Sequence, residues 1–368
     1  MNNIRNEQEL NERGKGLRRV LTREKLIPLI IFVALCVLIG SVNPTFFGWQ
    51  TWQNILMQVS NVGIIAFGAM FVITSGGLDF TAGEGVSLAG IFAATAFVAS
   101  GMNNAATILA GVAMGAAMGA ANGLIIVKLK IQPFITTLSM MTVIKGFLLC
   151  FSEGNIIHLD VEGATFTQVG QGLLQFPGSA GTSTTGAEQG FPVAFIIYMG
   201  VAVAVYFLLH KTKFGQATIA MGGNEEAARL AGVKVDWYRF WVYTFAGLMT
   251  GLGAVITLAR VASIGISLGG TPLLLDVVAA AVIGGTAVSG GRCNVFGVVI
   301  GTFIVIRITS ALVYLDIDTN WRDVVKGVII LMALCIDVFA AKVGDKMETK
   351  AKALDRKSPP PRTTKVTG

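Results

Sequence analysis

Apolar residues fill long stretches of the chain and are separated by short polar segments. Most stretches run for roughly 18–25 residues, the length that crosses the ~30 Å hydrocarbon core of a bilayer as one helix. The pattern predicts an all-α polytopic membrane protein with about ten spans, some interrupted by glycine. The predicted spans are 27–42, 52–74, 78–100, 105–127, 133–151, 192–210, 240–260, 273–288, 295–314 and 324–340.

The composition favours the same class of protein. Hydrophobic residues make up 53% of the chain and charged residues 13%, whereas soluble domains carry about 25% charged residues. The four cysteines show no metal-binding spacing, and His158 and His210 are the only histidines. Because no nucleophile or metal constellation is visible, the sequence predicts no metal, no cofactor and no enzyme.

The basic residues predict the orientation in the membrane. With the amino terminus in the cytoplasm, only Arg260 and Arg322 of the 28 Lys and Arg residues fall in outside segments. Basic residues concentrate in cytoplasmic loops of membrane proteins. We therefore expect a multi-pass protein of the bacterial inner membrane, in contact with lipid, with both termini cytoplasmic. The same distribution explains the net charge of +7 without nucleic-acid binding.

Three regions follow from this topology. Residues 1–26 form a basic cytoplasmic segment, and residues 27–341 form the transmembrane domain. That domain contains a long outer loop at 152–191 and a cytoplasmic loop at 211–239. Residues 342–368 form a basic, proline-containing cytoplasmic tail that we expect to be disordered.

Residues 74–84, with the sequence TSGGLDFTAGE, interrupt two apolar runs. Glycines and hydroxyls make a poor helix, and irregular backbone at membrane depth occurs where it is buried or lines a watery cavity. Carboxylates at that depth are candidates for function. The alternative is that Asp79 caps a helix and Glu84 pairs with a neighbour. The predicted lining of the path or gate comprises Gly76, Gly77, Asp79, Thr81, Gly83 and Glu84.

A second candidate for the gate lies within residues 276–291. Its glycine pairs indicate either a helix break or a close helix crossing, and plain packing is the alternative. Its predicted path residues are Gly284, Gly285, Ser289 and Gly290. The segment 289–291 also repeats the Ser-Gly-Gly sequence of 75–77, which hints at a duplicated half. Lys145, Arg307 and Lys326 lie in or beside apolar runs, and we expect them to reach towards the interface.

The cytoplasmic loop contains AMGGNEEAARLAG at 220–232, which predicts a short, fully capped helix. Asn224 is a favoured N-cap, and Glu225 and Glu226 suit the positive end of the helix dipole. Arg229 suits the negative end, and Gly232 stands where a left-handed residue ends a helix. The pattern is typical of a docking helix, although a helix packed on its own protein is the alternative.

Four segments together resemble the ribose/galactose/xylose-type permeases of ABC importers, over residues 55–337. They are GGLDFTAG, NGLIIVKLKIQPFITTL, KTKFGQATIAMGGNEEAARLAGV and LDVVAAAVIGGTAVSGG. The resemblance implies that the third segment is the coupling loop that meets the ATPase. The implied coupling residues are Gly222, Gly223, Asn224, Glu225, Glu226, Ala227, Arg229 and Gly232. Glu84 departs from the family pattern, where a small polar residue is usual.

The resemblance implies a permease subunit of an ATP-driven importer of a small sugar such as ribose, galactose or xylose. An autoinducer sugar or a nucleoside is an alternative solute. The chain has no G-x-x-x-x-G-K-[ST] phosphate loop, so an ATP-binding subunit must supply the energy. The other partners are an extracytoplasmic binding protein and a second permease copy. An ion-coupled secondary carrier using Asp79 and Glu84 is the alternative of another class.

Overall fold

The computed structural model describes residues 36–37, 40–41, 47–159, 166–175 and 190–314, with residues 318, 321, 324, 327–328 and 331. The predicted terminal segments and most of the first and tenth spans lie outside the described residues. The chain divides into two compact units, Ile31–Asp323 and a second that joins Met1–Ile30 to Val324–Gly368. The description below concerns the first unit.

Helices account for nearly all of the regular structure described in this unit. In chain order they are α1 Trp49–Thr74, α2 Ala82–Ala99, α3 Asn104–Leu129, α4 Pro133–Ser152, α5 Thr167–Gln171, α6 Val193–Lys211, α7 Lys213–Gly223, α8 Glu225–Leu230, α9 Val235–Val261, α10 Gly270–Ile283 and α11 Val295–Tyr314. Seven of them, α1, α2, α3, α4, α6, α9 and α11, are long and apolar enough to cross a membrane. The all-α polytopic class is thereby confirmed.

Two predicted boundaries were wrong. The eighth span was placed at 273–288, but α10 ends at Ile283 and has only 14 residues. A helix of 14 residues is ~21 Å long, which is too short to cross a ~30 Å hydrocarbon core. The helix ends there because Gly284 and the left-handed Gly285 follow it. The loop at 211–239 was expected to hold one short helix. It also contains α7, and α9 begins at Val235 rather than at residue 240.

Two pairs of short strands gather the loops at one end of this unit, here called the sheet end. Strand β1, Ile157–His158, follows α4 and pairs antiparallel with β4, Ser263–Ile264, which follows α9. Strand β2, Leu173–Gln175, pairs with β3, Gly190–Pro192, directly before α6. Helices α4 and α9 therefore finish at the same end. The turn from α3 to α4 lies beside α8 at the other end, here called the α8 end.

Helices α3 and α9 pack at backbone distance through glycine. A Cβ atom at Gly115 would lie 2.4 Å from the carbonyl oxygen of Gly247, and one at Gly119 would lie 2.2 Å from that of Tyr243. Gly251 makes the same kind of contact with Gly111. Small residues spaced four apart let membrane helices approach closely. This crossing fixes α9 in the interior of the bundle.

Helices α1 and α9 are largely buried, whereas α4 and α6 present most of their side chains to the outside. The exposed positions of α4 are mainly apolar and include Ile135, Leu138, Val143 and Phe147. Such a surface does not suit water, because contiguous exposed apolar area marks contact with lipid or another protein. An exposed apolar surface of this kind is expected where a membrane protein contacts lipid or another membrane protein.

The ends of α1 and α10 adopt the same conformation. After α1, Gly76 has φ +80°, and the Gly77 amide donates to the Val72 carbonyl at 3.0 Å. After α10, Gly285 has φ +85°, and the Thr286 amide donates to the Ala281 carbonyl at 3.1 Å. Both are glycine-terminated Schellman motifs. The ends of α1 and α10 therefore match in conformation at 75–77 and 284–286.

Candidate translocation gate and coupling surface

An irregular segment, residues 75–81, separates α1 from α2, and Asp79 organises it. The Oδ1 atom of Asp79 accepts hydrogen bonds from the Thr81 amide at 2.9 Å and from the Thr81 hydroxyl at 2.5 Å. That hydroxyl accepts in turn from the side-chain amide of Asn122 in α3 at 2.9 Å. Asp79 thus supports the start of α2, close to the capping role that the sequence left open.

Two further helices hold the same segment through one carbonyl group. The Leu78 carbonyl accepts from the Thr137 hydroxyl of α4 at 3.2 Å and from the Tyr243 hydroxyl of α9 at 3.3 Å. The second carboxylate oxygen of Asp79 is buried without a hydrogen-bond partner among the described residues. Three helices therefore clamp the segment, and a shift of any of them changes its contacts.

Three glycine-rich segments that are distant in sequence meet at one place, here called the glycine junction. The Thr74 carbonyl accepts a hydrogen bond from the Gly291 amide at 2.9 Å. A Cβ atom at Gly222 would lie 1.7 Å from that carbonyl oxygen, and one at Gly290 would lie 2.6 Å from the Gly222 carbonyl oxygen. Only glycine permits backbone contacts this close. The junction joins the end of α1, the loop after α10 and the last turn of α7.

The predicted residues of the second gate have different environments. Gly284 packs against α11, since a Cβ there would lie 2.5 Å from the Val298 Cα. This is the plain helix crossing that the sequence left open as an alternative. Gly290 belongs to the glycine junction. Gly285 and Ser289 are exposed, and nothing lies within 4 Å of a Cβ placed at Gly285, so both remain predicted path residues.

The short helix α8 has the caps that the sequence predicts. The Asn224 side chain accepts from the Ala227 amide at 2.9 Å at the start of the helix. Gly232 has φ +84° at its end, and the Val233 amide donates to the Ala228 carbonyl at 3.0 Å. A helix this short is only marginally stable alone, so the caps contribute much of its stability.

Ion pairs fasten α8 to the start of α9. Arg229 lies 3.1 Å from Glu225 and 2.7 Å from Asp236, and Arg239 lies 2.6 Å from Glu225. The hydrogen bond from Arg239 is the main cause that lowers the pKa of Glu225. The hydrogen bond to Asp236 is the main cause that raises the pKa of Arg229. Glu225 and Arg229 are therefore engaged within the chain.

The exposed residues of α8 that make no ion pairs form a second surface, separate from the ion pairs of Glu225 and Arg229. Glu226, Ala227 and Leu230 are exposed, and Leu230 shows 87% of its surface. Beside them lies a groove of about 320 Å³. The turn from α3 to α4 contributes Lys130 and Gln132 to it, and the ion-pair network lines its other side. An exposed leucine beside charged residues makes this a candidate docking surface.

Glu84 lies in the first turn of α2, at the point where α10 begins. A Cβ atom at Gly83 would lie 2.2 Å from the Gly270 carbonyl oxygen. One turn further along, the Ser87 hydroxyl bonds to the Gly265 carbonyl at 3.1 Å and accepts from the Gly269 amide at 3.1 Å. The chain after β4 therefore runs along α2 to reach the start of α10. Glu84 itself is 3% exposed.

Comparison with known proteins identifies the family. Residues 51–334 match the family model described as the permease component of the branched-chain amino acid transport system. This chain belongs to that family. It is 37% identical to the ribose import permease protein of Bacillus subtilis (strain 168), over 85% of this chain and 92% of the relative. No solved structure matches.

Two further relatives have similar coverage. The ribose import permease protein of Escherichia coli (strain K12) is 32% identical, over 86% of this chain and 94% of its own length. The galactose/methyl galactoside import permease protein of the same organism is 35% identical, over 83% of this chain and 93% of its own length. The resemblance predicted from the four motifs is confirmed.

Several residues of the candidate gate in this permease were missed by sequence reasoning. Asn122, Thr137 and Tyr243 hold residues 78–81, yet each lies in an apolar run. The single amide of Asn122 among apolar neighbours was the one available signal. Arg307 was expected to reach the interface. It is instead buried in α11, with its guanidinium carbon 4.0 Å above the Trp52 ring. Lys326 lies outside the described residues.

The described side chains give no sign of a bound metal. Among them, no three His, Cys, Asp or Glu residues gather closely enough to hold an ion. The glycine junction connects the loop that carries the candidate docking surface to the end of α1 and to the loop after α10.

Proposed function

We propose that this permease is the membrane-spanning subunit of an ATP-driven ABC importer for a small sugar. The observation that carries the proposal is the similarity to ribose and galactose import permeases over more than four-fifths of the chain. The family description names branched-chain amino acids, which makes these the second candidate class of solute. The sugar class is preferred because the relatives just named are sugar permeases.

The proposed mechanism couples ATP hydrolysis to the gate through α8. The ATP-binding subunit docks on Glu226, Ala227 and Leu230, and its movement shifts α8. The ion pairs of Arg229 pass that shift to α9. Gly222 lies two residues before the Asn224 cap and contacts the end of α1 and the loop after α10, so the same shift reaches residues 75–81 and 284–291. The partner subunit hydrolyses the ATP, since this sequence has no G-x-x-x-x-G-K-[ST] phosphate loop.

Further partners complete the proposed importer. A binding protein delivers the sugar to the sheet end, and the α8 end faces the cytoplasm of a bacterium with an inner membrane. A second copy of this chain forms the path with the first, because ABC transporters hydrolyse ATP between two facing sites. A closed two-fold pair gives each ATPase one docking helix. The exposed Lys145 within α4 supports this arrangement, because a charged side chain at membrane depth avoids lipid.

Proteoliposomes test the proposal directly. The permease is reconstituted with its ATP-binding subunit, and the sugar-loaded binding protein is added outside. We expect uptake of radiolabelled ribose or galactose that requires ATP inside and survives a protonophore. Uptake by the permease alone, driven by a proton gradient, would establish the secondary-carrier alternative with Asp79 and Glu84 as coupling groups. ATP-driven uptake of leucine but of neither sugar would replace the sugar by a branched-chain amino acid.

A further inference from the structure

Residues 262–270, here called the strap, connect the end of α9 to the start of α10. Left-handed residues mark its two ends, Ala262 with φ +53° and Gly270 with φ +78°. Between them lie β4 and one turn of 3₁₀-helix, Ile266–Leu268. Because α10 has only 14 residues and leads to the glycine junction at the α8 end, it begins inside the ~30 Å hydrocarbon core. The strap therefore carries non-helical backbone from the sheet end into the membrane.

One face of α2 receives the strap at three successive positions. At the first, a Cβ atom at Gly90 would lie 2.6 Å from the Cδ1 atom of Ile264. At the third, a Cβ atom at Gly83 would overlap the carbonyl oxygen of Gly270. Ser87 lies between them, and spacings of four and three residues place all three positions on one face of the helix. Because this face carries only small residues, the backbone of the strap lies directly against α2.

The hydroxyl of Ser87 holds the middle of the strap. It donates a hydrogen bond that is shared between the carbonyls of Gly265 and Ile266, at 3.1 and 3.2 Å. It accepts a hydrogen bond from the Gly269 amide at 3.1 Å. Non-helical backbone inside a membrane needs partners for its polar groups, and the fully buried Ser87 supplies them on both sides of the 3₁₀ turn. If the strap left α2, water or a polar solute in an open path would have to replace these hydrogen bonds.

Helix α10 connects the strap to the glycine junction. The strap precedes its first residue, and the loop after it contributes Gly290 and Gly291 to the junction. Gly291 bonds to the Thr74 carbonyl there, and Gly290 packs against Gly222. A helix of 14 residues moves as one piece, so a displacement of its end at the junction also displaces the strap. The contact of the strap with α2 is therefore linked to the segment that carries α8.

We propose that the strap is the gate of the path at the sheet end, and that Ser87 is the positioning residue that holds it closed. This inference rests on the proposed function, in which the binding protein delivers the sugar at the sheet end. In the structure the strap lies on α2 and the gate is closed. When the junction displaces α10, the strap turns about Ala262 and Gly270, and leaves α2. Loop residues of this kind absorb the change in φ and ψ at a hinge. The gate closes behind the sugar when Ser87 regains its hydrogen bonds.

A reversible disulfide tests the gate in a variant without the four native cysteines. The Cβ atom of Gly90→Cys would lie 3.8 Å from that of Ile264→Cys, a usual distance in a disulfide. In proteoliposomes with the complete importer, oxidation of this pair should abolish ATP-driven uptake of ribose, and dithiothreitol should restore it. The control pair is Ile156→Cys with Gly265→Cys, whose Cβ atoms would lie 3.6 Å apart. That pair joins the strap to the loop of β1, which already pairs with it and moves with it, so uptake should be unchanged.

The leak of sugar tests Ser87. Proteoliposomes are loaded with radiolabelled ribose, and its escape is followed without ATP or binding protein. Ser87→Ala removes a hydrogen bond that keeps the gate closed, so the leak should rise about fivefold, the factor that corresponds to one hydrogen bond. Ser60→Ala is the matched control, because its buried hydroxyl bonds only to the Leu56 carbonyl of its own helix, at 2.6 Å. Its leak should equal that of the unchanged permease.

Several results would overturn the inference. They are failure of the Gly90→Cys and Ile264→Cys pair to cross-link, unchanged uptake after it cross-links, and a loss of uptake that dithiothreitol does not reverse. Equal loss in the control pair would also overturn it, as would equal leaks in Ser87→Ala and Ser60→Ala. Each of these leaves the proposed function in place while the reduced importer takes up sugar with ATP. Absence of ATP-driven sugar uptake by the unchanged importer would refute the proposed function, and the leak would still test the gate.

Discussion

The main-chain carbonyl of Thr74 accepts a hydrogen bond from the amide of Gly291, 217 residues later in the chain, at 2.9 Å. Gly222 packs against the same carbonyl. One oxygen atom therefore connects the end of α1, the loop after α10 and the last turn before the docking helix. A side chain at Gly222, Gly290 or Gly291 would force the segments apart, which makes the junction sensitive to very small changes.

Gly222→Ala tests the junction. The added Cβ would meet the Thr74 carbonyl oxygen at 1.7 Å, and the neighbour is backbone that cannot turn away. We expect a loss of about 1–3 kcal/mol in stability, as for an overpacked core, and loss of ATP-driven uptake. Thermal unfolding and uptake measure the two effects. Gly223→Ala is the matched control, since its Cβ would meet only the Gly291 Cα at 4.0 Å. Equal behaviour of the two variants would refute the role of the junction.

Leu230 tests the docking surface. It is 87% exposed and lies outside the ion-pair network, so its removal should leave the permease fold intact. If it is an anchor in the ATP-binding subunit, Leu230→Ala should weaken association by about 2 kcal/mol, or roughly thirtyfold in Kd. Co-purification and a titration of the two subunits measure this. Leu124→Ala removes an exposed leucine from α3 and should have no effect. Unchanged association of Leu230→Ala would move the docking surface elsewhere.

Two charge reversals in α8 have different structural consequences. Glu226→Lys alters only an exposed position, whereas Arg229→Glu removes two ion pairs inside the chain. Loss of coupling in Arg229→Glu could therefore arise from a loosened α8. Glu226→Lys and Leu230→Ala report on the partner contact itself, so the two kinds of variant should be made separately.

Local parts of the site could be predicted from the sequence, and long-range parts could not. The Asn224 cap and the left-handed Gly232 depend on residues within one helix, so their residue types were enough. The contact of Asn122 with Thr81 spans 41 residues, and that of Tyr243 with Leu78 spans 165. Polar groups in apolar runs gain partners only when the helices assemble, and no local pattern reveals which. The glycine junction was visible only as three separate glycine pairs.

The ion pairs of α8 predict a pH dependence. The pKa of Glu225 is lowered from its ordinary value of 4.5, mainly by the hydrogen bond from Arg239. A carboxylate with a lowered folded pKa stabilises the folded state fully above its ordinary pKa, and this contribution is lost as the pH falls through the folded pKa. We expect α8 to loosen from α9 below about pH 4.5. Hydrogen exchange of the 225–230 amides, corrected for intrinsic rates, measures it.

Glu225→Gln is the control for this effect. It removes one of the two carboxylates that pair with Arg229, so protection of the 225–230 amides should be weaker at neutral pH. Protection should also fall less on acidification than in the unchanged permease, because only the Asp236 pair then remains to titrate. If the unchanged permease keeps the same protection from pH 7 down to about pH 3.5, where a carboxylate of ordinary pKa is protonated, the ion pairs do not hold α8 in place.

The orientation of the two ends is the last prediction, and the proposed coupling depends on it. The segment with α7 and α8 carries five basic residues, Lys211, Lys213, Arg229, Lys234 and Arg239. Residues 153–159 at the sheet end carry none. Basic loops stay in the cytoplasm, so in a variant without the four native cysteines, Asn155→Cys should react with an impermeant maleimide in intact cells. Lys234→Cys should react only after permeabilisation. Both positions are exposed, so access to the reagent is not limited by packing. Equal or reversed labelling would place α8 away from ATP, and this helix could then not receive the ATP-binding subunit.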